Sequence, residues 1–281
     1  MLTRLEIDGF KNLLGVELEF GPFTCIAGPN GVGKSNLFDA IQFLSLLAQH
    51  KIMDAARRVR GSEDDPTNPR DLFHRSDEQG EQPARMRFAA EMIVPDEVRD
   101  TFGRTAEPTI TFLRYELELV YEPPTAAERY GRVRLAYESL VHINQSAAAR
   151  HVRWPHAAGA FRRRVVKGAR RGGAFISTKM DADGTTKIET HQDGGSRGKP
   201  RPSAAREATA TTIGATSSVD DPTIFAVKEE MIGWKLLALE PSAMRRPDKY
   251  WDAGDSTSVA ENGLHILGTL WSLEETDAGR E

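Results

Sequence analysis

The residues with the clearest chemical purpose form one run, Gly28-Pro29-Asn30-Gly31-Val32-Gly33-Lys34-Ser35. It fits the phosphate-loop pattern G-x-x-x-x-G-K-[ST]. Glycines let a backbone wind tightly and approach phosphate oxygens with no Cβ in the way. Successive N–H groups, here those of Gly31, Val32 and Gly33 with Asn30 and Asn36 on either side, then face the anion. Lys34 in such a loop reaches the β- and γ-phosphates of a nucleoside triphosphate, and the Ser35 hydroxyl ligates Mg²⁺. The competing reading is a chance glycine-rich turn between two elements. The flanks argue against it.

Those flanks are the elements that must hold the loop. Phe23-Thr24-Cys25-Ile26-Ala27 is short, apolar and β-prone, which predicts a buried strand entering the loop. Cys25, the one cysteine of the chain, is then expected as small core packing rather than a reactive thiol, and no internal disulfide is possible. After the loop, Asn36 to Gln49 predicts a helix. Leu37, Ile41, Leu44 and Ala48 form one stripe, and Phe38, Phe43 and Leu47 widen it until most sides are apolar. Upstream, Val16, Leu18 and Phe20 alternate with Glu17 and Glu19, a half-buried strand, and Gly21-Pro22 makes the next turn. Residues 1–27 therefore read as three strands. Lys11 and Asn12 follow Gly9-Phe10 at a turn, either as a solvated hairpin tip or as nucleotide contacts.

The opening Leu2-Thr3-Arg4-Leu5-Glu6-Ile7-Asp8-Gly9-Phe10-Lys11-Asn12 resembles the first strand and turn of RecF/SMC-like ABC-type ATPases, where an "F-[KR]-N" element precedes the strand to the phosphate loop. The loop itself, continuing through Asn36-Leu37 and Asp39-Ala40-Ile41, is similar to that group's "GPNGxGKSNLxDAI". The likeness is specific over about fifty residues and nearest to the RecF-like and OLD-like AAA proteins of DNA repair and phage defence. It implies ATP and Mg²⁺ as cofactors, Lys11 and Asn12 near the nucleotide, and head-to-head dimers that sandwich ATP between phosphate loops and partner signature loops.

Past the helix, His50 to Gly80 is polar, with a short element at Asp71-Leu72-Phe73-His74. Gln79, Gln82 and Gln145 could be the glutamine with which such ATPases sense Mg²⁺, but a glutamine in a polar loop is ordinarily just solvated. Three alternating strands follow. Met86, Phe88, Ala90 and Met92 carry the first, and Tyr115, Leu117, Leu119 and Tyr121 the second. Val133, Leu135, Tyr137, Ser139, Val141 and Ile143 carry the third. Short polar connections make them an antiparallel meander. Residues 84–145 are thus expected as an antiparallel lobe beside a phosphate-loop core in an α/β fold.

Residues 150–222 read as a basic, partly flexible insertion. Arg162, Arg163, Arg164, Lys167, Arg170 and Arg171 cluster in a chain whose net charge is −4. Such a cluster suits a nucleic-acid backbone. A solvated insertion, or a patch facing an acidic partner or another subunit, is equally open. Asp181-Ala182-Asp183-Gly184 predicts a hairpin turn, since a calcium loop would need later ligands. Residues 192–222 have the Gly, Ser, Thr and Pro content of a mobile segment.

Residues 223–281 are expected to return to the core. Phe225 to Ile232 reads as a helix, Trp234 to Pro241 as a strand ending in a loop at Glu240, and a further helix begins near Leu264. A lone Glu240 is not the Asp-Glu pair that polarises water, and no signature loop or switch histidine is found. The chain is therefore expected to be the N-terminal part, 1–281, of one longer ATPase head, with an effector such as a nuclease as a further expected partner. No stretch is apolar and long enough to span a membrane, which predicts a cytoplasmic protein. Two functions stay in view. One is an ATP-hydrolysing head acting on DNA, and the other a non-catalytic nucleotide-binding assembly module. A small-molecule kinase is disfavoured by the meander and the basic loops.

Overall fold

The computed structural model describes residues 1–61, 64–75, 84–125, 131–156, 158–169, 172–193, 200–217, 219–247, 259–260 and 262–271. It is a mixed α/β chain built on one large antiparallel sheet. The strands are β1 (Leu2–Asp8), β2 (Val16–Glu19), β3 (Arg85–Ile93), β4 (Val98–Arg99), β5 (Thr105–Ala106), β6 (Phe112–Glu122), β7 (Arg132–His142), β8 (Ile176–Met180), β9 (Thr186–Thr190) and β10 (Arg201–Ala204). Eight of them form the sheet in the order β10-β9-β8-β7-β6-β3-β1-β2, and β4 pairs only with β5. The helices are α1 (Lys34–Gln49), α2 (Ile52–Arg58), α3 (Ala148–His151), α4 (Arg163–Val165), α5 (Thr212–Ala215), α6 (Pro222–Ile232) and α7 (Pro241–Met244). Residues 1–234 form one compact unit and residues 235–281 a second.

Alternation decides which sheet face is dry. Leu5 and Ile7 of β1, Met86, Phe88, Ala90 and Met92 of β3, and Tyr115, Leu117 and Leu119 of β6 are all buried. They meet the apolar side of α1, where Phe43 packs with Phe10 and Phe88 at ring separations of 6.0 Å. Ile213 of α5 and Ile224, Phe225 and Val227 of α6 complete the same core. The opposite parity carries charge: Arg114 bonds Glu6, Glu91 and Glu116, and Arg87 bonds Glu118. The Arg114 hydrogen bonds hold the Glu6 carboxyl below its ordinary value.

The expected meander is present, but its third strand breaks parity. Leu119 pairs with Leu135 and Glu118 with Tyr137, so Ala136 is an extra residue in β7. Such a bulge reverses the facing of everything beyond it. Tyr137, expected inside, is 38% exposed, whereas Glu138 and Leu140 are fully buried. Glu138 accepts from Tyr115 Oη at 3.0 Å and from the Thr212 backbone N–H and hydroxyl, both at 2.8 Å, which ties α5 to the sheet. Burial raises its pKa, against the opposing pull of those hydrogen bonds.

The 150–222 region is more ordered than its composition predicts. The Asp181–Gly184 turn does join two strands, and β8 continues the main sheet through Leu140 and Ile176. β10, α5 and the buried Ala205 and Ile213 lie where a mobile segment was expected. A second, smaller core gathers Ile93, Phe112, Ile143, Ala148, Val152 and Val166. In the 235–281 unit, residues 235–239 form neither helix nor strand, so the strand expected over Trp234 to Pro241 is absent, and Glu240 instead precedes α7. Residues 266–271 are helical, as expected.

Candidate functional site

Gly31 and Gly33 sit at φ 83° and 104°, a left-handed backbone that side chains rarely adopt. Gly33 immediately precedes α1, and its carbonyl accepts from Leu37 N at 3.0 Å to open the helix. No side chain caps the first turn of α1, so its N–H groups stay directed toward the loop. A Cβ on Gly31 would meet nothing within 4 Å, which leaves that side of the loop open to an incoming group. Lys34 folds over the loop, its ammonium donating to the Gly28 and Pro29 carbonyls at 2.7 and 2.6 Å. Ser35 is exposed beside it. Residues 28–33 are therefore an irregular segment that runs directly into α1.

A second stretch backs it. Gly9 follows β1 directly, and a Cβ there would lie 2.2 Å from the Arg85 carbonyl oxygen, so only glycine allows the turn to pass β3. Lys11 follows at φ 50°, its N–H bonded to Leu72 O and its carbonyl meeting His74 Nδ1 at 2.7 Å. Asn12 packs against Gly33, and its Oδ1 accepts from Asn36 Nδ2 at 2.8 Å. Lys11, Asn12 and Asn36 are therefore brought together at the flank of the loop. The turn is built into the site rather than being a free hairpin tip.

Two further residues, Asp39 and Arg60, meet at this flank. Asp39, buried on the second turn of α1, accepts from Lys11 Nζ at 2.7 Å and from Arg60 Nε at 2.9 Å. Arg60, at φ 57°, also reaches Asn36 Oδ1 at 3.4 Å. Asp39 could have been suspected, because a carboxylate among the apolar positions of a buried helix needs a cation. Nothing in the polar run around Arg60 singles it out.

The approach to the loop differs from expectation. Residues 24–29 form no strand, and among the described strands none pairs with them. Phe23 is 88% exposed and Cys25 is exposed, so the predicted buried strand and core cysteine are both corrected. An apolar, β-prone run forms a buried strand only when neighbours take its backbone groups. β2, at the edge of the sheet, ends at Glu19 and leaves nothing alongside.

The other candidates lie elsewhere. Gln145 donates to the Val166 carbonyl at 3.1 Å, a structural contact. Gln79 and Gln82 lie outside the described residues, as do Arg170 and Arg171. Arg163 and Arg164 are exposed on α4 and Arg162 is half-buried at its start. Lys167 is engaged by Asp96. Among the described residues no group of three or more His, Cys, Asp or Glu could hold a metal ion. Also among them, no helix is long and apolar enough to cross a membrane.

The stretch that carries this geometry, residues 1–60, matches the RecF/RecN/SMC N terminal domain. Structural maintenance of chromosomes protein 1 of Schizosaccharomyces pombe is 53% identical over 45 residues, 15% of this chain and 4% of that protein. The DNA replication and repair protein RecF of Phocaeicola vulgatus is 50% identical over 46 residues, 16% of this chain and 12% of that one. RecF of Magnetococcus marinus is 42% identical over 84 residues, covering 26% and 21%. The chain thus spans a small part of the length of these curated relatives. A solved structure described as "Structural biochemistry of ATP-driven dimerization and DNA stimulated activation of SMC ATPases" aligns at 23% identity and a TM-score of 0.31, over 50% of this chain and 69% of that one.

Proposed function

We propose that the chain is the ATP-binding part of a RecF/SMC-like ATPase head, with residues 28–35 as its phosphate loop in an α/β core. The observation that carries this reading is the left-handed Gly33 opening an uncapped α1 with Lys34 folded over the loop, in the one stretch that matches the RecF/RecN/SMC domain. The residues fit the nucleotide. Gly31, Val32 and Gly33 supply backbone donors, Lys34 neutralises the β- and γ-phosphates, and Lys11, Asn12, Asn30 and Asn36 border them. Mg²⁺ would take the Ser35 hydroxyl together with phosphate oxygens and water, which suits an ion that seldom occupies an all-protein cage. When bound, the metal would neutralise charge on the phosphates.

Dimerisation of two such heads around ATP, in DNA repair or anti-phage defence, is the wider role we assign from the resemblance. The exposed Arg163 and Arg164 support a DNA-facing surface on the same chain. Glu240 lies in no strand but directly before α7, which favours a second reading: a non-catalytic nucleotide-binding module that regulates a partner effector such as a nuclease.

Titration of ATP–Mg²⁺ into the full 281-residue chain tests the core claim. Wild type should bind, and Lys34→Ala should lose roughly tenfold or more, the scale of one charge-assisted phosphate contact. Turnover with duplex DNA present supports the hydrolytic reading, and binding without turnover supports the module. No binding by wild type overturns both. Arg163→Glu/Arg164→Glu should abolish salt-sensitive DNA binding and leave ATP affinity unchanged.

A further inference from the structure

Three non-glycine residues among those described have a left-handed backbone: Lys11, Arg60 and His265. Such conformations persist only where the surroundings impose them, and they gather at functional sites. Two of the three, Lys11 and Arg60, aim at one carboxylate, that of Asp39. Its Oδ2 lies 2.7 Å from Lys11 Nζ and 2.8 Å from the Arg60 guanidinium, while Oδ1 takes Arg60 Nε at 2.9 Å. The Asp39 side chain is 4% exposed, whereas Arg60 is half-exposed.

One cation suffices to compensate a buried carboxylate. Two leave the cluster with a net positive charge at the flank of the helix N-terminus, where a second negative charge is favoured. The cluster is also wired to the loop. Arg60 reaches Asn36, Asn36 donates to Asn12, and Asn12 packs on Gly33.

We infer that Asp39 is a positioning residue of the nucleotide site: it fixes Lys11 and Arg60 as a paired cationic wall for the outer oxygens of a nucleoside polyphosphate. This role presupposes nucleotide binding at residues 28–35. The planar guanidinium of Arg60 is held by Asp39 through two of its nitrogens. Removal of Asp39 frees both cations, and a freed side chain must be ordered again each time ligand binds.

The sign of the effect separates positioning from charge. Asp39→Asn removes a negative charge near the phosphates, so a purely electrostatic Asp39 would bind ATP more tightly once neutralised. A positioning Asp39 would bind it more weakly. ATP–Mg²⁺ affinity should be titrated for wild type, Lys34→Ala, Asp39→Asn, Arg60→Gln and the Asp39→Asn/Arg60→Gln pair, with circular dichroism of each. Asp39→Asn and Arg60→Gln should each weaken ATP about tenfold, and the pair should be no weaker than Asp39→Asn alone. Tighter or unchanged binding by Asp39→Asn, or additive losses in the pair, overturns the inference while wild-type binding lost in Lys34→Ala keeps the nucleotide reading intact. Should Asp39→Asn not fold, Arg60→Lys decides, because Lys11 still pairs Asp39. It keeps the charge but not the two-direction grip, so it should behave like Arg60→Gln, and wild-type affinity would overturn the inference.

Discussion

Replacing Gly33 by alanine tests the joint between the loop and the Phe10-Lys11-Asn12 turn. Two costs can be read from the geometry. The first is the backbone at φ 104°, where a Cβ strains the chain by about 1–2 kcal/mol. The second is contact: the new Cβ would sit 2.8 Å from Asn12 Oδ1, 3.0 Å from Asn12 Nδ2 and 3.2 Å from Leu13 Cδ2. Leu13 is buried and cannot yield far, but Asn12 is exposed and can rotate away. That rotation forfeits the Asn12–Asn36 hydrogen bond, worth about 1 kcal/mol. The sum is about 2–3 kcal/mol, which in a domain of this size lowers Tm by roughly 5–10 °C. Thermal melts with and without ATP–Mg²⁺ would report both the loss and a smaller nucleotide-induced rise. Because Asn12 is the group in the way, Gly33→Ala with Asn12→Ala should cost less than the two changes summed. A Tm within about 1 °C of wild type, or strict additivity with Asn12→Ala, would refute the packing described here.

Glu138→Ala orphans the Tyr115 hydroxyl and both Thr212 donors, and should cost about 4 kcal/mol in denaturant unfolding. Glu138→Gln should behave differently with pH. A carboxylate whose folded pKa is raised favours the folded state fully below its unfolded pKa, and that contribution is lost as pH rises through the folded one. Stability curves should therefore converge in acid and show wild type losing ground to Glu138→Gln as pH rises; parallel curves would contradict the burial of this group. Glu6 has the opposite sign: its pKa is lowered, so the stability it supplies is present above the unfolded pKa and lost on acidification, and Arg114→Met should flatten that loss. Tyr137→Thr should change stability by under about 1 kcal/mol while Leu140→Ala costs about 2–5, since one faces out and the other is fully buried. Cys25 should label with a maleimide in the native protein without denaturant, and protection from it would restore the buried strand.

How much of this was legible in the sequence depended on whether a feature is local. Gly28 to Ser35 stands out in the sequence because its glycines answer to backbone geometry a few ångströms away, as the positive φ of Gly31 and Gly33 shows. The strands at 85–93 and 112–122 were legible because period-two alternation survives along their length. β7 was half legible. Val133 and Leu135 face the core as read, but one extra residue at 136 turns Tyr137 outward and Glu138 inward, and a bulge leaves no compositional trace when its residue is alanine. The partners of Glu138, Tyr115 and Thr212, lie 23 and 74 residues away in sequence, where no local pattern points to them. Phe23 to Ala27 failed for the complementary reason: its propensity is that of a strand, yet a strand exists only in a pair. The same logic separates Asp39 from Arg60 at the candidate site. Asp39 is an anomaly visible on its own helix, a charge on an apolar face, whereas Arg60 becomes meaningful only when the fold returns it to that carboxylate. Local chemistry could therefore point to the loop and to Lys11, while Arg60, the second cation at its flank, had to await the tertiary structure.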